Sequence, residues 1–212
     1  MAKKIRLDVH LTEEEYFPSR NKAKGAIMAG IVFVNGERID KAGTKIDPES
    51  EIEIKGEHCP YVSRGGYKLE KAIEAFNLDL TDYKMLDVGA STGGFTDCAL
   101  QNGACQVYAL DVGYGQLAWK LRQDSRVEVI ERTNIRYLTK DDLPEVFDIV
   151  TIDVSFISLS IVIPASRRFL KHEGEMVALI KPQFEAGRDK VGKNGVVKDP
   201  EIHKEVIEKV IG

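Results

Sequence analysis

Residues 84–100 read KMLDVGASTGGFTDCAL. A short apolar run of strand length passes directly into a turn with glycines at 89, 93 and 94, and a helical pattern follows. Such a turn lets backbone N–H groups approach a ligand closely. The spacing narrows what that ligand is. A dinucleotide fingerprint needs G-x-G-x-x-G, which these three glycines do not satisfy. No Gly-Lys-Ser/Thr is present either, so a phosphate-cradling P-loop is excluded. Asp87 stands on the strand, Ala90 and Ser91 follow Gly89, and Thr92 precedes Gly93-Gly94-Phe95. Asp111 ends the next strand 22 residues after Gly89, placed to accept hydrogen bonds from ribose hydroxyls. An acid at a strand end without a phosphate grip suits a nucleoside with a positively charged, phosphate-free tail. S-adenosylmethionine is such a ligand. The bland alternative, a tight turn and nothing more, leaves the spaced Asp111 without a role.

Outward from this turn, strands are expected at 84–88, 106–111, 127–130, 148–153 and 175–181, with helices at 95–102, 115–123 and 159–171 between them. "GGYKLEKAIEAF" precedes the first strand as a helix with Leu69, Ile73 and Phe76 on one face. A last helix over 200–211 begins at Pro200 after Asp199. Alternating strands and helices specify a doubly wound α/β sheet. The first 57 residues have another rhythm, that of a small α+β unit. Ser19 caps a helix that stops at Gly30, Asn35-Gly36 turns a hairpin within "IVFVNGERI", and "SEIEI" adds a strand. Residues 55–63, with Gly56 and Pro60, read as the connection, so the boundaries fall at 1–57, a linker at 58–63, and 64–212.

The chain has 212 residues, 43% of them hydrophobic, and a net charge of −4. Bulk charge therefore does not advertise a nucleic-acid binder, but the distribution does more. Lys3, Lys4, Arg6, Arg20, Lys22 and Lys24 concentrate at the start, and the stretch from Lys181 to Lys198 carries five positive against two negative residues. Local patches of this kind track phosphates within an acidic total; solvated surface lysines are the alternative. Cys59, Cys98 and Cys105 form no C-x-x-C pair, and His10, His58, His172 and His203 are scattered. Neither a disulfide framework nor a metal site is supported, and the adjacent His58–Cys59 reads as structural. A charged start and no apolar run of spanning length predict a soluble, cytoplasmic protein.

"DVGASTGGFT" resembles the D-x-G-A-x-P-G-G-F/W motif of FtsJ-type ribose methyltransferases, with Thr92 in place of the usual proline. "SRGGYKLEKA", "TIDVSFISL" and "LIKPQFEAGRDKVGKNGVVKDP" are similar to the TlyA family, known both as ribosomal RNA 2′-O-methyltransferases and as hemolysins. Residues 6–46, from "RLDVHL" to "GTKI", resemble the S-four-type RNA-binding domain of that family. The resemblance implies a Rossmann-like S-adenosylmethionine-dependent methyltransferase domain preceded by a small α+β RNA-binding domain. It also implies ribosomal RNA or ribosomal subunits as partner, with cytidines as targets. A non-catalytic RNA-binding module and a pore-forming hemolysin are the rival readings; 30% charged residues and no long apolar run weigh against the second.

By the same resemblance, Lys68, Asp153 and Lys181 take three places of a Lys-Asp-Lys-Glu tetrad. Lys181 is the candidate base, which near neutral pH must work at roughly 7–8 rather than the usual ~10.4 of a lysine. Gly89, Ser91, Gly93, Phe95, Asp111, Asn134 and Asp153 are the candidate cofactor residues, Asn134 standing where the family puts an acid or amide against adenine. Arg20, Lys22 and Lys24 on one helix, with Arg64 in the linker, are the candidate RNA contacts. The tetrad's glutamate has no match. It belongs to a hairpin after the last helix, so a form shorter than the family's, with five of seven strands, is the expectation; Glu185, though near Lys181, lies in another motif.

Overall fold

The computed structural model describes residues 4–55, 59–143 and 146–212, without the side chain of Arg188. Lys3, Gly56 and His58 lie outside them. The chain divides between His58 and Cys59 into two units.

In the first unit, α1 (Leu7–Glu13) and α2 (Arg20–Met28) pack through Leu7, Leu11, Ala23 and Ile27, all fully buried. Strands β1 (Ile5–Arg6) and β4 (Lys45–Ile46) form one antiparallel pair; β3 (Glu37–Arg38), β2 (Val32–Val34) and β5 (Ile52–Ile54) form a sheet. Ser19 caps α2 as expected, accepting from the Lys22 N–H. The hairpin turns at Asn35 and Gly36, with φ of 51° and 80°, the paired positive angles that make Asn-Gly the favoured two-residue turn. α1 is an addition to the sequence reading. Arg6 at its N-terminus offers no side-chain cap, and Leu7, Val9 and Leu11 alternate like a strand.

The second unit is a five-stranded, wholly parallel sheet. Its strands are β6 (Lys84–Val88), β7 (Gln106–Leu110), β8 (Val127–Ile130), β9 (Phe147–Ile152) and β10 (Leu170–Ala178), in the order β10-β9-β6-β7-β8. Successive residues of β6 feed opposite faces. Met85 joins α3 (Gly66–Phe76), α4 (Gly94–Gln101) and α5 (Trp119–Arg122) in one core; Leu86 and Val88 join α6 (Leu159–Arg167) in another. Two short helical turns follow β10, α7 (Pro182–Glu185) and a 3₁₀ turn at Arg188–Lys190, and then α8 (Pro200–Ile211), capped by Asp199.

Three expectations are corrected. The helix at 115–123 shrinks to four residues, because Gly113 and Gly115 occupy a loop anchored to Asp111 and Glu131. The strand expected at 175–181 runs from 170 to 178, with a register shift between Leu170 and Glu175; the helix before it therefore ends at 167. Residues 60–63 are not free linker. Tyr61 is buried in the second unit's core, its hydroxyl donates to Glu70 at 2.6 Å, and the Val62 N–H donates to Asp97 at 2.7 Å.

Candidate active site

Strand order reverses at β6: the chain moves outward through β7 and β8, then returns to β6's other side with β9. Open α/β sheets bind ligands in the crevice beyond the strand ends at that switch. Gly89 follows β6 there and Asp153 follows β9, the Asp153 N–H donating to the Val88 carbonyl at 3.0 Å. Gly89 has φ +91°, and a Cβ on it would stand 2.7 Å from the carbonyl oxygen of Asp153. Only glycine lets the turn and the second strand end close so tightly.

Two adjoining cavities open at this edge. The larger, about 800 Å³, is lined by Gly89, Ser91, Asp111, Asn134 and Asp153, with Val112, Phe156 and Ile161 among its apolar walls. That volume falls within the roughly 300–1,000 Å³ of small-molecule sites. Asp111 is held ready: the N–H of Ser91 reaches one carboxylate oxygen at 2.8 Å and that of Gly113 the other at 2.7 Å. Each oxygen keeps a further lone pair for ribose hydroxyls. Asn134 accepts from the Arg136 N–H at 3.1 Å, opening the 3₁₀ turn Ile135–Tyr137. An acidic end, apolar walls and a glycine turn fit a nucleoside sulfonium such as S-adenosylmethionine.

The smaller cavity, about 250 Å³, gathers Ser63, Gly65, Lys68, Phe95 and Lys181 around the shared Gly89, Ser91, Asp153 and Ser155. Lys68 Nζ donates to Asp153 Oδ2 at 2.8 Å. Lys181 Nζ pairs with Oδ1 at 2.6 Å, an ion-pair contact not aligned as a hydrogen bond, and donates to Ser155 Oγ at 3.1 Å. Lys68 and Lys181, 113 positions apart in the chain, thus share one carboxylate. Burial pushes the Asp153 carboxyl upward, but Lys181 and Lys68 outweigh it and hold it below the usual carboxylate range. Lys181 is the more enclosed amine, its side chain 17% exposed against 45% for Lys68.

Other candidates fall elsewhere. Gly93 lines neither cavity; its missing Cβ makes room for Leu121 and Leu117. Phe95 touches the smaller cavity but is 5% exposed and belongs to the core. Asp87 is not in the crevice: Thr96 and Thr151 donate to it at 2.7 and 3.1 Å inside the sheet, and burial pushes it up to about 6. Arg64 is exposed between cavity residues Ser63 and Gly65. In the first unit, Lys22 is exposed and Lys24 half-buried, while Arg20 is tied to the buried Asp8 at 2.8 Å beside Arg6. Sequence reasoning missed Ser155 and Phe156, both inside "TIDVSFISL". Phe156 has φ 65° and is 91% exposed, a backbone outlier for a bulky residue that no sequence pattern announces.

A model of FtsJ-like methyltransferases matches residues 61–212, and one of the S4 domain matches residues 5–52. The chain belongs to the FtsJ-like methyltransferase family. YqxC of Bacillus subtilis, a candidate rRNA methyltransferase, is 56% identical over 211 residues, covering 99% of this chain and 75% of that one. The 16S/23S rRNA (cytidine-2′-O)-methyltransferase TlyA of Mycobacterium tuberculosis is 43% identical over 203 residues, covering 95% and 76%. The solved structure of a candidate hemolysin from Streptococcus thermophilus, 51% identical, superposes with a TM-score of 0.75 over 99% of this chain and 77% of that one. The FtsJ-like sheet thus carries a hemolysin name on some relatives, yet among the described residues no helix is long and apolar enough to cross a membrane.

Proposed function

We propose that this FtsJ-like methyltransferase transfers a methyl group from S-adenosylmethionine to the ribose 2′-oxygen of cytidine in ribosomal RNA, in the cytoplasm. The observation that carries the reading is the pair of lysines on Asp153 beside the nucleoside-sized cavity. Bound S-adenosylmethionine supplies an electrophilic methyl carbon on a sulfonium. Asp111 accepts from the ribose hydroxyls of the cofactor, and Gly89 and Ser91 present backbone close to it. Asn134 faces the adenine. The 2′-hydroxyl is a weak nucleophile and loses its proton as it attacks; Lys181 Nζ, in its neutral amine form, accepts that proton. Lys68 and Asp153 hold Lys181 in line, so much of the acceleration is alignment. The first unit, through Lys22, Lys24 and the outer face of Arg20, contacts phosphates and sets register without reading sequence.

Lys181→Ala tests this directly. Methyl transfer to ribosomal RNA is expected to fall at least a hundredfold, the usual order for a lost general base, while calorimetric cofactor affinity stays within about threefold. Activity within tenfold of the parent would remove Lys181 as the base. Mapping of 2′-O-methyls in ribosomal RNA from cells with and without the gene identifies the nucleotide.

A further inference from the structure

Lys181 stands at the N-terminus of α7, a helix of four residues. A single turn is far too short to hold itself in water, so the position of the amine depends on whatever fixes the segment's other end. That end is Glu185, 6% exposed. Its Oε2 accepts from Ser158 Oγ at 2.6 Å and its Oε1 from the Leu159 N–H at 2.7 Å. Ser158 and Leu159 are the cap and first residue of α6. The carboxylate therefore meets the positive end of a nine-residue helix and satisfies a donor that has no partner within it.

Further contacts join the same two segments. The Phe184 and Phe156 rings lie 5.1 Å apart; separately, Lys209 of α8 donates to the Glu185 carbonyl at 2.9 Å and holds the same end of α7 from a third element. Residues 153–159 and 181–185 are thus fastened at both ends. Lys181 meets Asp153 and Ser155 at one end; Glu185 meets Ser158 and Leu159 at the other. Both Glu185 oxygens are committed to α6, so this acid acts on Lys181 through the chain and not by charge.

We infer that Glu185 is a positioning residue for Lys181, clamping α7 to the N-terminus of α6 so that the amine stays on Asp153; the inference rests on Lys181 as the base. The test uses Glu185→Gln, Glu185→Ala and Ser158→Ala in the full chain. Acylation of each lysine by acetic anhydride is followed by mass spectrometry, with exposed Lys71 as reference. Freed from its clamp, Lys181 should label about tenfold faster in both Glu185 variants, the equivalent of ~1.4 kcal/mol. Ser158→Ala, which removes one of the two bonds, should give a smaller rise and add little to Glu185→Gln. In turnover, kcat should fall roughly 10- to 100-fold, with KM for RNA and cofactor affinity within about twofold. Ser158→Ala removes one donor and leaves the Glu185 carboxylate in place with its Leu159 bond, so a Glu185 variant that fails to fold does not end the test. Unchanged Lys181 labelling in folded variants overturns the clamp, as does a loss of cofactor affinity that matches the loss of kcat. Labelling needs no turnover, so a parent chain inactive on RNA defeats the proposed reaction separately.

Discussion

Asp111 and Asp87 are two carboxylates near one turn, with opposite surroundings. Asp111 is oriented by two backbone N–H groups and faces a cavity. Asp111→Ala should weaken S-adenosylmethionine binding by about 1.5–3 kcal/mol for each charge-assisted bond lost, roughly 10- to 100-fold in Kd by calorimetry. An unchanged Kd would remove Asp111 from the ribose. Asp87 accepts from Thr96 and Thr151, and burial, with the Asp153 charge adding to it, sets its folded value at about 6 against 3.8 for the ordinary group. Between those values the folded state holds more protons than the unfolded state, so this residue's contribution to stability grows as pH falls through 6. Asp87→Asn should abolish that dependence, flattening stability between pH 5 and 7 by about 1–2 kcal/mol in denaturant titrations. A slope identical to the parent's would show that Asp87 is ionised throughout. Asp111 was legible in sequence because a parallel strand delivers its next residue to that edge; Asp153 and Lys181 were read from the family motif. Gly93 was not: a glycine needed for Leu121 and one needed for a ligand look alike in sequence.

Helices and strands differ in how clearly they were written. Strands β6, β7 and β8 were read to within a residue, because apolar runs bounded by turns have few other readings. α1 and α5 were missed or overdrawn, since tertiary packing of Leu7, Leu11 and Leu121 holds them in place of caps. The lysine pair was foreshadowed only by family motif; no local pattern brings residues 68, 153 and 181 together, which takes the sheet's strand order. Turn glycines give a test of the close approach. Gly89 and Gly36 both have positive φ, but a Cβ at Gly36 meets nothing within 4 Å. Gly36→Ala should therefore cost about 1 kcal/mol, conformational strain alone. Gly89→Ala adds a collision with the Asp153 backbone and should cost at least ~3 kcal/mol and lower cofactor affinity. Equal losses in thermal denaturation would mean that the turn gives way freely.

At the scale of the molecule, each unit has its own buried core. Residues 59–212 alone should bind S-adenosylmethionine with the parent's affinity yet lose most activity on ribosomal RNA. Because Arg20 also neutralises the buried Asp8, Lys22 and Lys24 are the cleaner probes of phosphate contact. Lys22→Ala with Lys24→Ala should reduce the log–log salt slope of RNA binding by about 1–2 units; an unaltered slope would make them ordinary surface lysines. The strand order has a consequence on the ribosome that makes this chain. β6 sits at the centre of the sheet, flanked by β7, which follows within a few turns of chain, and by β9, which does not. Gly89 emerges 64 residues before Asp153, a delay of about 3–13 s at the usual 5–20 residues per second of synthesis. For that interval the nascent β6 offers an open, apolar edge, while only part of the cavity lining has been translated. The cavity therefore completes late, when β9 pairs with the waiting edge of β6, and a nascent chain stalled before Asp153 should be a client for chaperones and unable to retain S-adenosylmethionine.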